Sequence, residues 1–260
     1  MELRRFNRRK FLLTALLATS AAVAGEGRFV EPTWLETRQL RINGGQTGVR
    51  FAQFCDTHHK GDRQYLQSVV DTINSLAPDF TCFTGDLVED KRFLPETLEI
   101  LSGLKSPLFG VPGNHEYLSG VSFVPISQCF TATGGAWLLD QHQVVANGKV
   151  NLIGAAGKSP ASIPPPGANG AIDILLIHYP AWAKKLCNHK FDLILAGHSH
   201  GGQVRIPHLG ALYLPPGVDG YDRGLFQSPA GPLYVNVGIG YIGNCDFRLN
   251  CHPEVTLIEV

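Results

Sequence analysis

Short apolar runs alternate with amphipathic stretches along most of this chain, and this alternation constrains its fold more than any other feature. Residues 49–55 and 79–84 are apolar runs of strand length. Between them, residues 63–77 carry apolar side chains at positions 66, 69, 70, 73 and 76, which is the spacing of one helix face. Repeated strand and helix signals predict a mainly parallel sheet covered by helices, that is, an α/β fold.

The same signals continue to the end of the chain. Further helices are predicted over 94–104 and 181–190. Further strands are predicted over 107–111, 137–139, 143–146, 149–154, 172–177, 191–196, 203–206, 211–214, 233–237 and 255–260. Asn147-Gly148 predicts a two-residue hairpin turn between two of these strands. With 260 residues, 44% of them hydrophobic, the chain is long enough for one domain with a substantial core.

The first 24 residues have the composition of an export signal. They contain five basic residues and one acid, then an apolar run over 11–23 that ends in Ala22-Val23-Ala24, a cleavage-site pattern. The run is shorter than the roughly 20 apolar residues that a membrane-spanning helix needs. The stretch from Asn7 to Leu12 resembles a twin-arginine signal, so the twin-arginine translocase is an expected partner during export.

These features predict the domain organisation and location of the protein. We expect a signal peptide over 1–24, an N-terminal linker over 25–47 and a single catalytic domain over 48–260. The protein is then exported to the periplasm or another extracytoplasmic compartment. An uncleaved leader would instead anchor it to the membrane, which leaves peripheral membrane association open.

Charge and cysteine content limit the possible partners. Without residues 1–24 the chain has 17 basic and 21 acidic side chains, a net charge of −4, and this balance argues against nucleic-acid binding. None of the six cysteines belongs to a Cys-x-x-Cys pair, so no zinc ribbon is predicted. Cys245 and Cys251 remain able to pair in an oxidising compartment, with free thiols as the alternative.

Polar motifs stand directly after five of the predicted strands. They supply eight candidate site residues, namely Asp56, His58, Asp86, Asn114, His115, His178, His198 and His200. Ligand sites in open α/β sheets form beyond the carboxyl ends of the strands, so we expect these side chains to converge. Imidazole and carboxylate are typical ligands of Zn, Mn or Fe. The set is large enough for two metals about 3.5 to 4 Å apart, a spacing suited to displacement at phosphorus.

Five motifs, in this order, resemble those of the calcineurin-like metallophosphoesterases: Asp56-x-His58, Gly85-Asp86, Gly113-Asn114-His115-Glu116, His178 and Gly197-His198-Ser199-His200-Gly201-Gly202-Gln203. The leader and the ending over 248–256 are most similar to the bacterial exported phosphodiesterases of the YaeI/YkuE type. The resemblance implies the metallophosphatase fold, a four-layer α-β-β-α sandwich of two mixed sheets. It places the metals at one edge of the sheets.

The resemblance also implies a role for each motif residue. Asp56, His58 and His200 would bind one divalent metal, and Asn114, His178 and His198 the other, with Asp86 bridging the two. A metal-bridging hydroxide would attack phosphorus. His115 would be the general acid, and Asn114 would belong to the catalytic set as well as to the ligands. The two divalent metals are Mn, Fe or Zn, and the sequence does not distinguish them, since mixed nitrogen and oxygen ligands accept all three.

The expected activity is hydrolysis of phosphoester bonds, and the expected substrate is a phosphodiester. The substrate is a small molecule or a lipid-linked phosphoester. One alternative is a UDP-2,3-diacylglucosamine-type pyrophosphatase of lipid A synthesis, and another is a catalytically silent, metal-bearing envelope-binding protein. An apolar groove beside the metals would favour the lipid, and a small polar groove would favour a water-soluble diester.

Several other residues have less specific signals. His59 is either a solvent-facing loop residue or a substrate contact, and Glu89 is either solvated or a neighbour of the metal ligands. Residues 238–243 match G-x-G-x-x-G, but too few residues follow for a dinucleotide-binding unit, so a glycine-rich turn near the site is expected. Arg248 is a candidate phosphate contact, with a structural salt bridge as the alternative.

Overall fold

Two six-stranded mixed sheets form the centre of the protein. The computed structural model describes residues 8–167, 170–243 and 246–260. The strand order of the first sheet is β1 (Glu36–Arg41), β14 (Glu254–Glu259), β2 (Arg50–Phe54), β3 (Phe80–Phe83), β4 (Leu108–Gly110) and β5 (Ala136–Trp137). Only the pairing of β14 with β2 is antiparallel in this sheet.

The second sheet has two antiparallel pairs at its ends. Its strand order is β12 (Gly224–Ser228), β13 (Gly231–Val235), β9 (Leu193–Ala196), β8 (Ile172–Leu176), β7 (Val150–Gly154) and β6 (Gln141–Val145). The pairs β12 with β13 and β6 with β7 are antiparallel, and the central pairs are parallel. A separate two-stranded hairpin consists of β10 (Arg205–Ile206) and β11 (Gly210–Ala211).

The strands bury both of their faces, which gives the four layers that the resemblance implies. Phe51 of β2 and Ile174 of β8 belong to the apolar cluster between the sheets. Their neighbours Ala52 and Leu175 point the opposite way, into two outer clusters, because successive side chains of a strand alternate between faces. The expected α-β-β-α sandwich of two mixed sheets is therefore confirmed.

Helices cover the first sheet more completely than the second. Its outer cluster includes side chains of α2 (Arg63–Leu76), α3 (Leu94–Leu101) and α5 (Phe123–Ala132). Helix α2 buries Leu66, Val69, Val70 and Ile73, as its apolar spacing predicts. The second sheet is covered by loops and by the short helix α6 (Trp182–Lys185). The predicted helix over 181–190 is thus reduced to one turn.

The N-terminal residues are helical and then attach to the C-terminal segment. Helix α1 (Arg8–Phe29) is mostly exposed and includes the part of the predicted signal peptide that lies inside the described residues. Within the described ranges, no helix combines the length and the apolar character needed to span a bilayer. Gly27 O accepts a hydrogen bond from Arg248 N (2.9 Å), and buried Glu31 accepts one from Asn250 N (3.0 Å). The stretch 25–47, expected as a linker, also contains β1.

Two local predictions differ from the structure. The loop between β6 and β7 has four residues, 146–149, because Val145 pairs with Val150. A two-residue turn at Asn147-Gly148 is therefore wrong, although both residues do have positive φ angles, 55° and 86°. Cys251 is buried and its Sγ lies 3.3 Å from His200 O. Its suggested partner Cys245 lies outside the described residues, so the pairing stays a prediction.

Candidate metal centre

The candidate site residues follow five strand ends, three in the first sheet and two in the second. Asp56 and Asp86 come after β2 and β3, and Asn114 begins the short helix α4 (Asn114–Leu118) after β4. His178 and His198 come after β8 and β9 of the second sheet. The site therefore lies where the carboxyl ends of strands from both sheets meet, as expected for an α/β protein.

Five of the seven predicted metal ligands have left-handed backbone conformations. Their φ angles are 50° for Asp56, 41° for His58, 67° for Asp86, 68° for His198 and 49° for His200. This conformation costs a residue other than glycine about 1 kcal/mol or more, so it persists only where neighbouring structure holds it. The two carboxylate loops hold each other, since Asp56 N donates to Gly85 O (2.8 Å) and His58 N donates to Asp86 O (3.2 Å). Backbone strain is thus concentrated at the site.

Asp56, His58 and His200 form the first ligand group. Their donor atoms lie within 4.8 Å of one another, and all three residues are buried. His200 Nε2 is 3.1 Å from His58 Nε2 and 3.4 Å from Asp56 Oδ1. Asp56 also accepts the backbone N–H of His198 at 2.9 Å, which fixes its orientation. The arrangement directs two imidazole nitrogens and one carboxylate oxygen to a common point.

Asn114, His178 and His198, together with Asp86, form the second ligand group. His178 Nε2 lies 3.0 Å from both Asn114 Oδ1 and His198 Nδ1. His178 Nδ1 donates to Thr84 O (2.8 Å), and His198 Nε2 donates to Pro216 O (2.8 Å). These bonds to carbonyl oxygens fix each ring so that its other nitrogen faces the group.

Asp86 stands between the two groups. Its Oδ2 lies 3.5 Å from His58 Nε2 of the first group and 3.2 Å from His178 Nε2 of the second. Its Oδ1 accepts the backbone N–H of His115 at 2.8 Å. The carboxylate is therefore positioned to be shared by two cations, as the resemblance implies for this residue.

The electrostatics of the site favour the metal-binding forms of most of these residues. Burial alone would raise the pKa of Asp56, but His200 and His58 lower it well below its usual range. Asp86 behaves in the same way, with His178 and His58 lowering its pKa. Burial lowers the pKa of His198 to about 4 and that of His200 well below its ordinary value. The carboxylates are therefore ionised and these two imidazoles neutral at neutral pH.

His178 is the exception, and it provides a test of whether a cation fits. Burial lowers its pKa, but the carboxylate of Asp86 raises it more, to about 9. Three electron-rich atoms surround its Nε2, from Asp86, Asn114 and His198. A divalent cation can bind all of these donors at once, whereas a proton on Nε2 can be shared with few of them. The donor set fits a metal, and binding displaces the proton of His178.

Glu116 is a functional residue that the sequence did not single out. Its buried carboxylate accepts three backbone N–H groups, from Asp86 (2.9 Å), Leu87 (2.5 Å) and Gly113 (2.6 Å). Burial and the charge of Asp86 raise its pKa to about 7. Glu116 thus ties the loop of the shared carboxylate to the loop that carries Asn114. Its place in the Gly-Asn-His-Glu motif is the one sequence signal for this role.

His115 lies at the half-buried rim of the site. Its ring stands edge-on to that of His58, with centroids 4.7 Å apart. Burial lowers its pKa, although Asp86 opposes the shift. His115, His58 and Glu89 form a third group with donor atoms within 4.8 Å. Within that group, Nδ1 of His58, the ring nitrogen that faces away from the first ligand group, is 3.4 Å from Glu89 Oε1. Glu89 is therefore a neighbour of a predicted ligand, one of the two interpretations given for it.

The glycine-rich turn lies against the first ligand group, near the site as expected. A Cβ atom on Gly238 would be 2.6 Å from Asp56 Cβ, and one on Gly240 would overlap Thr57 O and be 2.7 Å from Asp56 O. Arg248 is fully buried and donates to Gly240 O (3.0 Å) and Val237 O (2.9 Å). The structure thus shows Arg248 bound to main-chain carbonyls, which differs from both a phosphate contact and a salt bridge.

A cavity of about 620 Å³ opens beside the first ligand group. Its lining includes Thr57 and His58 of the first ligand group's loop. It also includes the aromatic side chains of Phe29, Tyr65 and Tyr241 and the cationic side chains of Arg28 and Lys60. The lining is neither a purely apolar groove nor a small polar one. His59 also borders the cavity, but its side chain is buried and contacts Glu96 (2.6 Å). The alternative of a solvent-facing His59 is therefore wrong.

Comparison with known proteins agrees with the motifs and the geometry. The family model for calcineurin-like phosphoesterases matches residues 49–202. The chain is 29% identical to the metallophosphoesterase YkuE of Bacillus subtilis, over 99% of both chains. It is 30% identical to the phosphodiesterase YaeI of Escherichia coli, over 98% of this chain and 99% of that protein. It is 26% identical to the UDP-2,3-diacylglucosamine pyrophosphatase LpxG of Chlamydia trachomatis, over 95% of each chain. The chain belongs to the calcineurin-like phosphoesterases.

Proposed function

We propose that the protein is a dinuclear, metal-dependent phosphodiesterase. The observation that carries this proposal is the position of Asp86, whose Oδ2 lies within 3.5 Å of a histidine from each ligand group. One carboxylate shared by two cations keeps them close enough to act on one phosphoester. Mn, Fe and Zn all suit the mixture of imidazole, amide and carboxylate donors.

The residues of the chain support phosphoester hydrolysis in distinct ways. Bound divalent metals supply Lewis acidity and an attacking water that ionises near neutral pH. Asp56 and Asp86 contribute only two negative charges to the ligand set, so the loaded site is positive and attracts an anionic substrate. His115 donates a proton to the leaving oxygen from the rim. The amide of Asn114 places its Oδ1 3.0 Å from His178 Nε2, so that both atoms would bind the same metal.

The substrate that we propose is a phosphodiester, either a small molecule or a lipid-linked one. The similarity to YaeI over nearly the full length supports a diester. A UDP-2,3-diacylglucosamine-type pyrophosphate is the second candidate, since LpxG is similar over 95% of the chain. The aromatic side chains of the cavity, Phe29, Tyr65 and Tyr241, support a substrate with an extended organic group in either case.

Hydrolysis of bis-p-nitrophenyl phosphate with added Mn²⁺ tests the proposed function. We expect turnover by the wild type and a loss of more than about a thousandfold in kcat for Asp86→Asn. Asp71→Asn is the matched control, because it makes the same chemical change at an exposed site on α2. Equal rates for wild type and Asp86→Asn, or no turnover with any metal, would contradict the proposal. The second result would favour a catalytically silent, metal-bearing envelope-binding protein.

A parallel comparison of substrates tests the bond that is cleaved. We expect a higher kcat/KM for bis-p-nitrophenyl phosphate than for p-nitrophenyl phosphate, the monoester. UDP-2,3-diacylglucosamine is assayed under the same conditions. A higher kcat/KM for this pyrophosphate than for any diester would replace the phosphodiesterase proposal with the second candidate.

We also propose export by the twin-arginine pathway. The support for it is the sequence Asn7-Arg8-Arg9-Lys10-Phe11-Leu12, followed by the apolar run over 11–23. Cell fractionation of the wild type should recover the protein outside the cytoplasm, in the periplasm or at the membrane. Replacing the pair with Arg8→Lys and Arg9→Lys should retain the protein in the cytoplasm, and an unchanged distribution would contradict this route.

A further inference from the structure

The hairpin of β10 and β11 and the residues after it carry apolar side chains into solvent. Leu209 is 80% exposed, Leu212 is 63% exposed and Tyr213 is 64% exposed, and Ile206 is exposed as well. Single exposed apolar residues are common on protein surfaces. Four of them lie within eight residues of the sequence, and this clustering, called the patch below, is typical of an interaction surface.

This patch is attached to the candidate metal centre at both ends. Before the hairpin, Gly202 lies two residues after His200, and a Cβ atom on it would overlap Ala211 Cβ and be 2.7 Å from Tyr213 O. After the hairpin, Pro216 O accepts the hydrogen bond from His198 Nε2 at 2.8 Å. A partner bound to the patch therefore lies beside two predicted metal ligands.

Cationic side chains lie beside the patch. Residues 201–218 contain no Asp or Glu. A cavity of about 340 Å³ next to the hairpin is lined by Arg205, His208, Arg223 and Asn250, among others. Arg205 is paired with Asp222 (2.8 Å), and Arg223 is exposed. Exposed apolar side chains beside cationic ones are complementary to an anionic lipid surface, which offers acyl chains below negatively charged headgroups.

The hairpin is also linked to the segment that follows helix α1. Arg205 N donates to Leu249 O (2.9 Å), and the next residue, Asn250, donates its N–H to Glu31 Oε1. Phe29 and Trp34, on either side of Glu31, are exposed. An N-terminal leader near a membrane would therefore hold this part of the protein close to the lipid.

We propose that the patch, consisting of Ile206, Leu209, Leu212 and Tyr213 with the neighbouring Arg205, His208 and Arg223, binds the surface of an anionic lipid bilayer. The binding brings the metal centre to phosphoesters that are carried by lipids. The lipid-borne substrate rests on the proposed function, whereas membrane binding itself does not require catalysis. Failure of one is therefore distinguishable from failure of the other.

Vesicle flotation of the full chain tests the proposal. The probe is a vesicle of phosphatidylglycerol and phosphatidylcholine, and the measured quantity is the partition coefficient. We expect Leu209→Gln with Leu212→Gln to lower it about tenfold, because two apolar side chains no longer enter the interface. Val124→Gln is the matched control, since Val124 is an exposed apolar residue on α5 and should leave binding unchanged.

The variant Arg223→Gln tests whether positive charge contributes to vesicle binding. We expect about a fivefold loss of binding to vesicles that contain phosphatidylglycerol and no loss with pure phosphatidylcholine. An equal effect on both vesicles would mean that Arg223 does not contact anionic headgroups, and it would overturn the electrostatic part of the proposal. The thermal unfolding midpoint of the hairpin variants should equal that of the wild type, which shows that they are folded without relying on catalysis.

Helix α1 must be separated from the patch, because it also exposes apolar side chains. All partition coefficients are therefore measured again in the background Leu16→Gln with Leu17→Gln, two exposed positions of α1. A hairpin variant that binds like its parent in both backgrounds would overturn the proposal. A patch that instead supports a dimer in sedimentation, with no vesicle binding, would also overturn it.

Discussion

The two ligand groups of the metal centre differ in how firmly their histidines are held. In the second group, the ring nitrogens that face away from the centre donate to Thr84 O and Pro216 O. In the first group, Nδ1 of His58 and of His200 is buried without a hydrogen-bond partner among the described residues. Hydrogen bonds therefore fix the ring orientations in one group, whereas the other relies on packing and on a contact of 3.4 Å between His58 Nδ1 and Glu89 Oε1.

This difference predicts unequal metal affinities. A histidine whose second nitrogen is hydrogen-bonded is held in the right orientation and is a better ligand, and the loss of such a partner typically costs about 10- to 100-fold in affinity. The second group should accordingly bind its metal more tightly than the first. The shared Asp86 couples the groups, so a change at one affects catalysis by both.

Removing one predicted ligand from each group should give the largest effect on activity, and it tests whether the two groups differ in metal affinity. We expect both His178→Ala and His200→Ala to lower kcat by more than about a thousandfold, because the proposed reaction needs both metals. Metal content after dialysis should distinguish them: His200→Ala retains close to one metal per chain, while His178→Ala retains much less. Equal metal content in the two variants would show that the groups have equal affinity.

Removing Glu116 should disturb both groups through their loops. Glu116→Ala leaves the N–H groups of Asp86, Leu87 and Gly113 buried without their acceptor, so we expect the free energy of unfolding to fall by about 3 kcal/mol. We expect kcat to fall between about 10- and 100-fold as Asp86 shifts. Denaturant unfolding and steady-state kinetics measure the two effects. Glu116→Gln keeps one acceptor oxygen, so its free energy of unfolding and its kcat should lie between those of the wild type and Glu116→Ala. Wild-type values for Glu116→Ala would contradict the role of Glu116 in holding the two loops.

Much of the fold was predictable because its central strands are buried on both faces. The apolar runs at 49–55, 79–84 and 172–177 correspond closely to β2, β3 and β8. Strand β1 has no such signal, since it is a largely polar edge strand that is recognised only by its pairing with β14. Strand β12 is not predicted for a related reason, because its sequence Gly-Leu-Phe-Gln-Ser contains no apolar run and most of its residues are not buried.

The candidate site was predictable to the extent that side-chain chemistry reveals it. The Asp, Asn and His residues directly after strand ends are the ones that the structure brings together in the two groups. The acceptors that orient His178 and His198 are main-chain carbonyls of Thr84 and Pro216, and any residue has such a carbonyl. Arg248 shows the same limit, because its partners are also backbone oxygens brought together only by folding.

Arg248 provides a test that should affect mainly the first group. Its guanidinium holds the turn of Gly238 and Gly240 against Asp56. Arg248→Met leaves buried carbonyls without donors, and we expect a loss of about 2 to 4 kcal/mol in the free energy of unfolding. The exposed ion pair of Arg41 with Glu259 is the control, for which Arg41→Met should cost less than about 1 kcal/mol.

The metal content of Arg248→Met relates this effect to the comparison of the two groups. We expect it to fall from two metals per chain toward one, because Asp56 loses its support while the hydrogen bonds that orient the rings of His178 and His198 remain. Metal analysis after dialysis measures this change. Loss of both metals together would mean that the turn supports the whole centre and that the two groups do not act separately.

Replacing Glu89 should have the smallest effect on metal affinity, and it tests directly how His58 of the first ligand group is oriented. Its Oε1 lies 3.4 Å from His58 Nδ1 and also accepts the N–H of Gly243 at 3.3 Å, while its Oε2 pairs with Lys60. If packing alone orients His58, Glu89→Gln should lower metal affinity by less than about tenfold, below the range typical of a carboxylate that is hydrogen-bonded to a ligand histidine. Competition with a chelator measures this affinity. A loss of about 10- to 100-fold would show that Glu89 orients His58 as firmly as Thr84 orients His178, and the two groups would then be held alike.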